Sequence, residues 1–418
     1  MLQLYNILSA CAVLAYAPWI FFKKGPENRT AFVKERFGMS RYIKTDIWVH
    51  AVSVGEVIAC LPFLKELKKE FPDKKITLST TTYTGQEIAR RDFPDADRIM
   101  YVPVDTGICA GRVARELKPE LFITVETELW PVLMNALKRE GCNIIVLNGR
   151  ISEKSFKGYK LIRFFMKTML ANIDYFYMQS DADAERIELL GAAKEKVSVM
   201  GNFKFDIKLD SFPPLKWLER IHGKIFLAAS THDGEDEIIL DAFLSIKKKY
   251  DRIRLIIAPR HPERFNNVAE MIDNRGINYI RRSNLTDERL AIDDALPDVI
   301  LLDTIGELSR AFSKVSVAFI GGSLVPVGGH NILEPAYWSR PVIFGPYMNN
   351  FPVAKDFIEG SAAVQVNDAH DMSETVTALL LHDEKAEDMG MNAKDIIDKN
   401  TGAVQRALEL VRRLIGTA

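Results

Sequence analysis

The chain has 418 residues, 47% hydrophobic and 27% charged, with a formal net charge of −1 at pH 7. This composition excludes a disordered chain, a collagen-like fibre and a multi-span transporter, and the length fits two or three domains. The neutral balance implies no bulk affinity for nucleic acid. The halves differ, because residues 1–210 carry 31 basic and 26 acidic side chains and residues 211–418 carry 24 and 30.

Met1 to Phe22 is a run of 22 uncharged residues ahead of Lys23 and Lys24. About 20 apolar residues can span a bilayer as a helix. Ala15-Tyr16-Ala17 has the form of a signal-peptidase site, but no Lys or Arg precedes the run and Pro18 follows it directly. A retained anchor over 1–22 is therefore expected rather than a cleaved signal. Gln3, Asn6 and Pro18 weaken a full span and leave a shallow interfacial anchor open. The cations Lys23, Lys24, Arg29, Lys34 and Arg36 then set the body on the cytoplasmic side. Cys11, Cys60, Cys109 and Cys142 show no CxxC spacing, which argues against a metal site and a disulfide framework.

Short apolar runs follow at 47–51, 76–79, 121–125, 144–147, 175–178 and 197–200. Helix-length segments lie between them, such as 57–71, 105–117 and 154–171. The alternation restarts after residue 220 with runs at 225–228, 255–258, 299–302, 315–320 and 342–344. Strands alternating with helices predict parallel sheets built from βαβ units. Ser211-Phe212-Pro213-Pro214 reads as a linker. The pattern predicts an anchor at 1–22, a doubly wound domain at 23–207, a linker at 208–220 and a second doubly wound domain at 221–418. Such sheets bind ligands at the carboxyl ends of their strands, and two of them facing one another leave a cleft.

The loops after the strands hold the candidates. Val52-Ser53-Val54-Gly55-Glu56 puts a carboxylate in the first turn of a helix, where it serves either the helix dipole or catalysis. The dipole alone would lower its pKa unless burial offsets it. Glu126-Thr127-Glu128-Leu129-Trp130-Pro131 sets two carboxylates at a strand end, as structural hydrogen-bonding posts or as substrate-orienting groups. In the second half, Pro259-Arg260-His261-Pro262, Asp303-Thr304-Ile305-Gly306-Glu307, and Gly321-Gly322-Ser323 with Gly328-Gly329-His330-Asn331 each read as turns suited to a phosphate. No GxxxxGK[ST] and no GxGxxG follow a first strand, which counts against P-loop and standard dinucleotide readings. Asp95-Ala96-Asp97 and Asp181-Ala182-Asp183 read as local turn and cap residues rather than metal-binding pairs.

His50-Ala51-Val52-Ser53-Val54-Gly55-Glu56, Glu126 to Pro131, Gly201-Asn202-Phe203-Lys204-Phe205-Asp206, Ser230-Thr231-His232, Pro259 to Phe265 and Gly328 to Asn331 closely resemble the motifs of the bacterial Kdo transferases. They stand in family order over almost the whole chain; Kdo is 3-deoxy-D-manno-oct-2-ulosonic acid. The resemblance implies a GT-B glycosyltransferase with CMP-Kdo as donor and lipid IV-A, the tetra-acylated lipid A precursor, as acceptor. It also implies the cytoplasmic face of a bacterial inner membrane, during lipopolysaccharide assembly.

Carried over by motif, Glu56 matches the general base. Pro259, Arg260, Ile305, Gly306, Glu307, Asn331, Ile332, Leu333 and Glu334 match the CMP-binding positions. Glu126, Glu128, Lys204, Ser230 and Thr231 are candidates for orienting substrate, with Lys204 either pairing with the donor carboxylate or simply solvated. No cofactor and no metal are expected. The alternatives are a UDP-sugar GT-B enzyme acting on a lipid, and a non-catalytic nucleotide-binding protein that would have no use for Glu56. Lys157, Lys160, Arg163 and Lys167 are expected along one face of a helix over 154–171, either solvated or meeting an anionic surface.

Overall fold

A computed structural model describes residues 2–22, 29–206, 213–285 and 297–416. Lys23 and Lys24 of the expected basic flank, and Ser211 and Phe212 of the expected linker, lie outside them.

The chain forms two compact units, Met1–Asp206 with Asn400–Ala418, and Ile207–Lys399. In the first, β1 (Ile47–His50), β2 (Ile76–Thr80), β3 (Arg98–Tyr101), β4 (Leu121–Val125), β5 (Asn143–Gly149), β6 (Tyr175–Met178) and β7 (Val197–Val199) form one sheet in the order 3-2-1-4-5-6-7. Every pairing is parallel. The second sheet uses β8 (Lys224–Thr231), β9 (Ile253–Pro259), β10 (Tyr279–Arg281), β11 (Val299–Leu301), β12 (Val317–Ile320), β13 (Val342–Phe344) and β14 (Ala363–Gln365), ordered 10-11-9-8-12-13-14 and again all parallel. The first order reverses between β1 and β4 and the second between β8 and β12, with β10 and β11 also exchanged at the far edge of the second sheet. Ligands of open α/β sheets sit at such points.

The central strands are buried on both faces. Ile47, Trp48, Val49, Phe122, Ile123 and Val146 are sealed in the first unit, and Phe226, Leu255, Ile257 and Phe319 in the second. This is why they read as uninterrupted apolar runs. β3, β10 and β14, absent from the sequence reading, are all edge strands, and they carry Arg98, Arg281 and Gln365 where central strands carry aliphatics.

Three expected boundaries move. The helix Ala403–Ile415, expected in the second domain, belongs to the first unit. There Ala403, Val404, Ala407, Leu408, Leu410 and Val411 complete a core with Val57, Phe63 and Leu64. Asp206 fixes its start by accepting from Gly402 N and Val404 N, both at 2.6 Å, and Arg412 Nη2 donates to Glu70 at 2.9 Å. Part of the expected linker is structure, since Lys216–Glu219 is a short helix with Trp217 and Leu218 buried. The helix expected over 154–171 breaks into Glu153–Leu161 and Arg163–Leu170 at Ile162, whose φ of −112° and ψ of 28° leave the helical region. The four cations therefore do not share one continuous helix face. They share the surface instead with Leu161 (87% exposed), Ile162 and Phe164 (77%).

The N-terminal helix is Leu2–Phe22, and among the described residues no helix is long and apolar enough to cross a membrane. The polar residues that weaken a span have a visible use. Asn6 Oδ1 accepts from Gly107 N at 2.6 Å, Ser9 Oγ donates to Asp105 O at 2.9 Å, and Tyr5 stacks on Phe165 at 5.6 Å. Leu4, Ile7 and Leu8 remain exposed.

Candidate active site

In the first unit the loop after β1 turns directly into the helix Val54–Glu70, with Ser53 as its N-cap. Ser53 makes no side-chain cap bond. Its hydroxyl donates instead to Glu56 Oε1 at 3.0 Å, while Val52 N donates to Oε2 at 2.7 Å. The local geometry is a relative of the capping box, so both sequence readings of Glu56 meet in one residue. Its side chain is only 8% exposed. Burial pushes its pKa up to about 7, with Glu126 and Glu128 adding to the rise and the bonds from Val52 and Ser53 opposing it. Burial thus outweighs the first-turn hydrogen bonds. A carboxyl group balanced near neutrality suits general-base work.

Glu126 and Glu128 follow β4, across the point of reversal from β1. The backbone here is pinned: Glu126 N donates to Leu147 O at 2.9 Å, Thr124 Oγ1 to Glu128 O at 3.0 Å, and Thr127 Oγ1 to Arg150 O at 2.6 Å. Among the described residues neither carboxylate accepts a hydrogen bond. Burial raises both pKa values; Lys204 and Arg150 pull Glu126 back, while Glu126 raises Glu128 further. Glu126 also has φ +59°, a conformation that costs a non-glycine residue about 1–3 kcal/mol.

The motif around Lys204 divides between structure and site. Phe203 is buried and stacks on Phe63 at 5.4 Å, Asn202 Oδ1 accepts from Lys204 N at 3.0 Å, and Asp206 caps the C-terminal helix. The Lys204 ammonium lies within electrostatic reach of Glu126. His50 is sealed, with Nδ1 2.9 Å from Ser79 Oγ, and burial drops its pKa to about 3. It stays neutral and structural.

In the second unit the glycine turns behave differently from expectation. Glu235, fully buried and missed in the sequence, accepts from His232 N at 2.8 Å, Gly322 N at 2.7 Å, Ser323 N at 3.0 Å and Leu324 N at 2.9 Å. The Gly321-Gly322-Ser323 turn thus spends its backbone donors on a carboxylate of the chain itself. The acidic start of the helix Asp236–Lys249 was the available signal, but nothing local told that Glu235 would reach a loop 87 residues away. Helix N-termini also offer less than expected, since Leu308–Ala311 and Leu333–Tyr337 are single short turns.

Thr231, a candidate for orienting substrate, is buried and its hydroxyl donates to Asp236 at 2.6 Å. That hydroxyl is structural. Asp236 also pairs with Arg264, whose Nη1 donates to Thr231 O at 2.8 Å. Ser230, beside it, is half-buried with φ +56°. Arg260 is exposed beyond the buried Pro259, its backbone N donating to Thr231 O at 3.0 Å. Glu307 accepts from Thr304 Oγ1 at 2.6 Å and Arg282 Nη2 at 2.9 Å, which leaves Ile305 85% exposed and Gly306 at φ +90°. Asn331 Nδ2 donates to Glu334 at 3.1 Å, Asn331 Oδ1 accepts from Leu333 N at 3.0 Å, and Ser309 Oγ donates to Glu334 at 2.7 Å. Ile332 and Leu333 are buried behind them.

Residues 31–207 match the family model described as 3-deoxy-D-manno-octulosonic-acid transferase (kdotransferase). A 3-deoxy-D-manno-octulosonic acid transferase of Haemophilus influenzae is 38% identical over 376 residues, covering 88% of this chain and 86% of that one. The chain belongs to the Kdo transferase family. A second member, from Rickettsia bellii, is 29% identical over 99% of both chains. The crystal structure of UDP-GlcNAc 2-epimerase from Neisseria meningitidis superposes with a TM-score of 0.59 at 14% identity, covering 88% of this chain and 100% of that one. That likeness concerns the fold alone. This Kdo transferase is thus a glycosyltransferase with two parallel-sheet α/β domains of the GT-B kind. Its Asp97 and Asp183, read as local turn and cap residues, reach further than that: of their partners only Ser180 is a near neighbour in the chain. Asp97 accepts from Ile76 N and Lys68 Nζ, and Asp183 from Ile151 N and Ser180 Oγ.

Proposed function

We propose that this Kdo transferase moves Kdo from CMP-Kdo to a hydroxyl of lipid IV-A with inversion, without a divalent ion, at the cytoplasmic face of a bacterial inner membrane. The observation that carries the reading is Glu56, buried, held by Val52 N and Ser53 Oγ, and shifted to about pH 7. In the reaction the acceptor oxygen bonds to the anomeric carbon of Kdo as the carbon–phosphate oxygen bond breaks. Glu56 takes the hydroxyl proton. Glu126 and Glu128 hold Glu56 in its weakly acidic state and orient the acceptor, and Lys204 pairs with the Kdo carboxylate. CMP is held through Pro259, Arg260, Ile305 to Glu307 and Asn331 to Glu334, with the Arg260 guanidinium balancing phosphate charge.

Membrane association rests on exposed apolar residues among cations. Leu4, Ile7 and Leu8 belong to a helix tied to Phe165 through Tyr5, and Leu161, Ile162 and Phe164 lie among Lys157, Lys160, Arg163 and Lys167. Apolar groups entering the headgroup layer beside cations favour an interfacial mode of attachment. The test is incubation with CMP-Kdo and lipid IV-A, with and without EDTA, followed by mass spectrometry of the lipid. One Kdo mass added in both conditions supports the reading. An unmodified lipid refutes the acceptor, and loss of transfer in EDTA refutes the metal-free step.

A further inference from the structure

The loops after β8 and β12, neighbours at the reversal of the second sheet, bring two histidines together. His232 Nε2 lies 2.7 Å from His330 Nε2, and the rings are within 10° of parallel. That contact is attractive only with a proton between the nitrogens, one imidazole donating and the other accepting. We propose that the His232–His330 pair is the phosphate subsite of the donor, takes up a proton when the donor binds and passes it to the CMP phosphate as it leaves. This deepens the reading of CMP-Kdo as donor and rests on it.

The surroundings favour an anion. Glu235 has its carboxylate engaged by four backbone N–H groups, and Asp236 is taken by Thr231 and Arg264. The outlying Asp233 is 3.9 Å from Arg264, and Glu263 is 3.9 Å from His261. The remaining groups facing the pair are His261, whose ring is 5.3 Å from that of His232, and Arg260, whose guanidinium forms no ion pair among the described residues. The two buried carboxylates, of Glu235 and Asp236, are thus spent, while the Arg260 guanidinium is not. Gly322 makes the pairing possible. With φ +66°, a Cβ there would lie 3.1 Å from the His330 ring and 3.3 Å from that of His232.

Burial and the nearby cations push both imidazoles down, against Glu235 at His232 and to about 4 at His330, so the pair by itself carries its one shared proton without net charge. A bound phosphate reverses the sign of the local field and raises both, so the pair takes up a proton as the nucleotide binds. On transfer the anomeric carbon–oxygen bond breaks with its electron pair going to the phosphate oxygen. The acceptor oxygen forms the new bond and gives its proton to Glu56, and the proton that the pair took up on binding goes to the phosphate. The pair is left with its original shared proton, Glu56 returns the acceptor's proton to solvent, and no further reactant is needed.

The test is calorimetry of CMP and of cytidine binding to the full chain, in two buffers of different ionisation enthalpy at pH 7.5. CMP is expected to bind the wild type with net proton uptake, and cytidine with none. In the His232→Gln/His330→Gln double variant the uptake should vanish and CMP affinity fall about tenfold, with cytidine affinity kept. Wild-type binding of CMP without proton uptake overturns the proposal with no variant involved. So does uptake that persists in the double variant. Failure of the wild type to bind CMP at all overturns the donor reading itself, which separates the two.

Discussion

Glu56→Gln should make the protein more stable and nearly inactive. The amide oxygen can still accept from Val52 N and the amide NH₂ can donate to Ser53 Oγ, so the turn survives; what disappears is the ionisable proton. In the folded wild type that proton is held to about pH 7, against 4.5 for an ordinary glutamate. At about 1.4 kcal/mol per pKa unit, ionising Glu56 in place costs roughly 3 kcal/mol. The sign follows from proton counting, since between these values the folded chain holds more protons than the unfolded one. Stability from this group is therefore full below pH 4.5, lost progressively as pH rises through about 7, and absent above it. Urea unfolding of wild type and variant at pH 5 and pH 8 should show the variant gaining up to about 3 kcal/mol at pH 8 relative to its difference at pH 5. Turnover in the mass-spectrometric assay should fall about 10²–10⁴-fold, the usual worth of a positioned general base. A variant that keeps turnover within tenfold, or whose stability difference from wild type does not change with pH, refutes the assignment.

Arg260→Ala should weaken CMP binding by about 1.5–3 kcal/mol, the value of a hydrogen bond to a charged group; calorimetry giving unchanged affinity would remove Arg260 from the donor site. Asp206→Ala strips the cap from Gly402 N and Val404 N and should lower unfolding stability by about 0.5–2 kcal/mol, with CMP affinity retained. Reversing Lys157, Lys160, Arg163 and Lys167 to Glu should reduce binding of the full chain to anionic vesicles, at about 1 kcal/mol for each cation near the surface. Flotation and acceptor KM both at wild-type values would leave that surface without a membrane role.

What the sequence disclosed depended on how local the cause was. Central strands were legible because burial on both faces leaves an unbroken apolar run, whereas β3, β10 and β14 lie at edges, where Arg98, Arg281 and Gln365 break the pattern. Glu56 was visible as a first-turn carboxylate, but the direction of its pKa shift was not, since it depends on burial and on Glu126 and Glu128 arriving from β4. The Gly321-Gly322-Ser323 turn was recognisable as an anion cradle, and it is one. That the anion is Glu235 lies beyond any local pattern, as does the spending of the Thr231 hydroxyl on Asp236. The break at Ile162 has only Gly158, one turn earlier, to hint at it, and the residues directly beside it, Leu161 and Arg163, both suit a helix.

The return of Ala403–Ile415 to the first unit sets the order in which this protein can be finished. A ribosome that has delivered everything up to Lys399 has released the whole second unit. The first unit, synthesised earlier, still lacks Ala403, Val404, Ala407, Leu408, Leu410 and Val411 from its core, and the Asp206 carboxylate still lacks the N–H groups of Gly402 and Val404. Domains generally fold as units during synthesis, the N-terminal one first. In this chain the domain begun first is the one completed last.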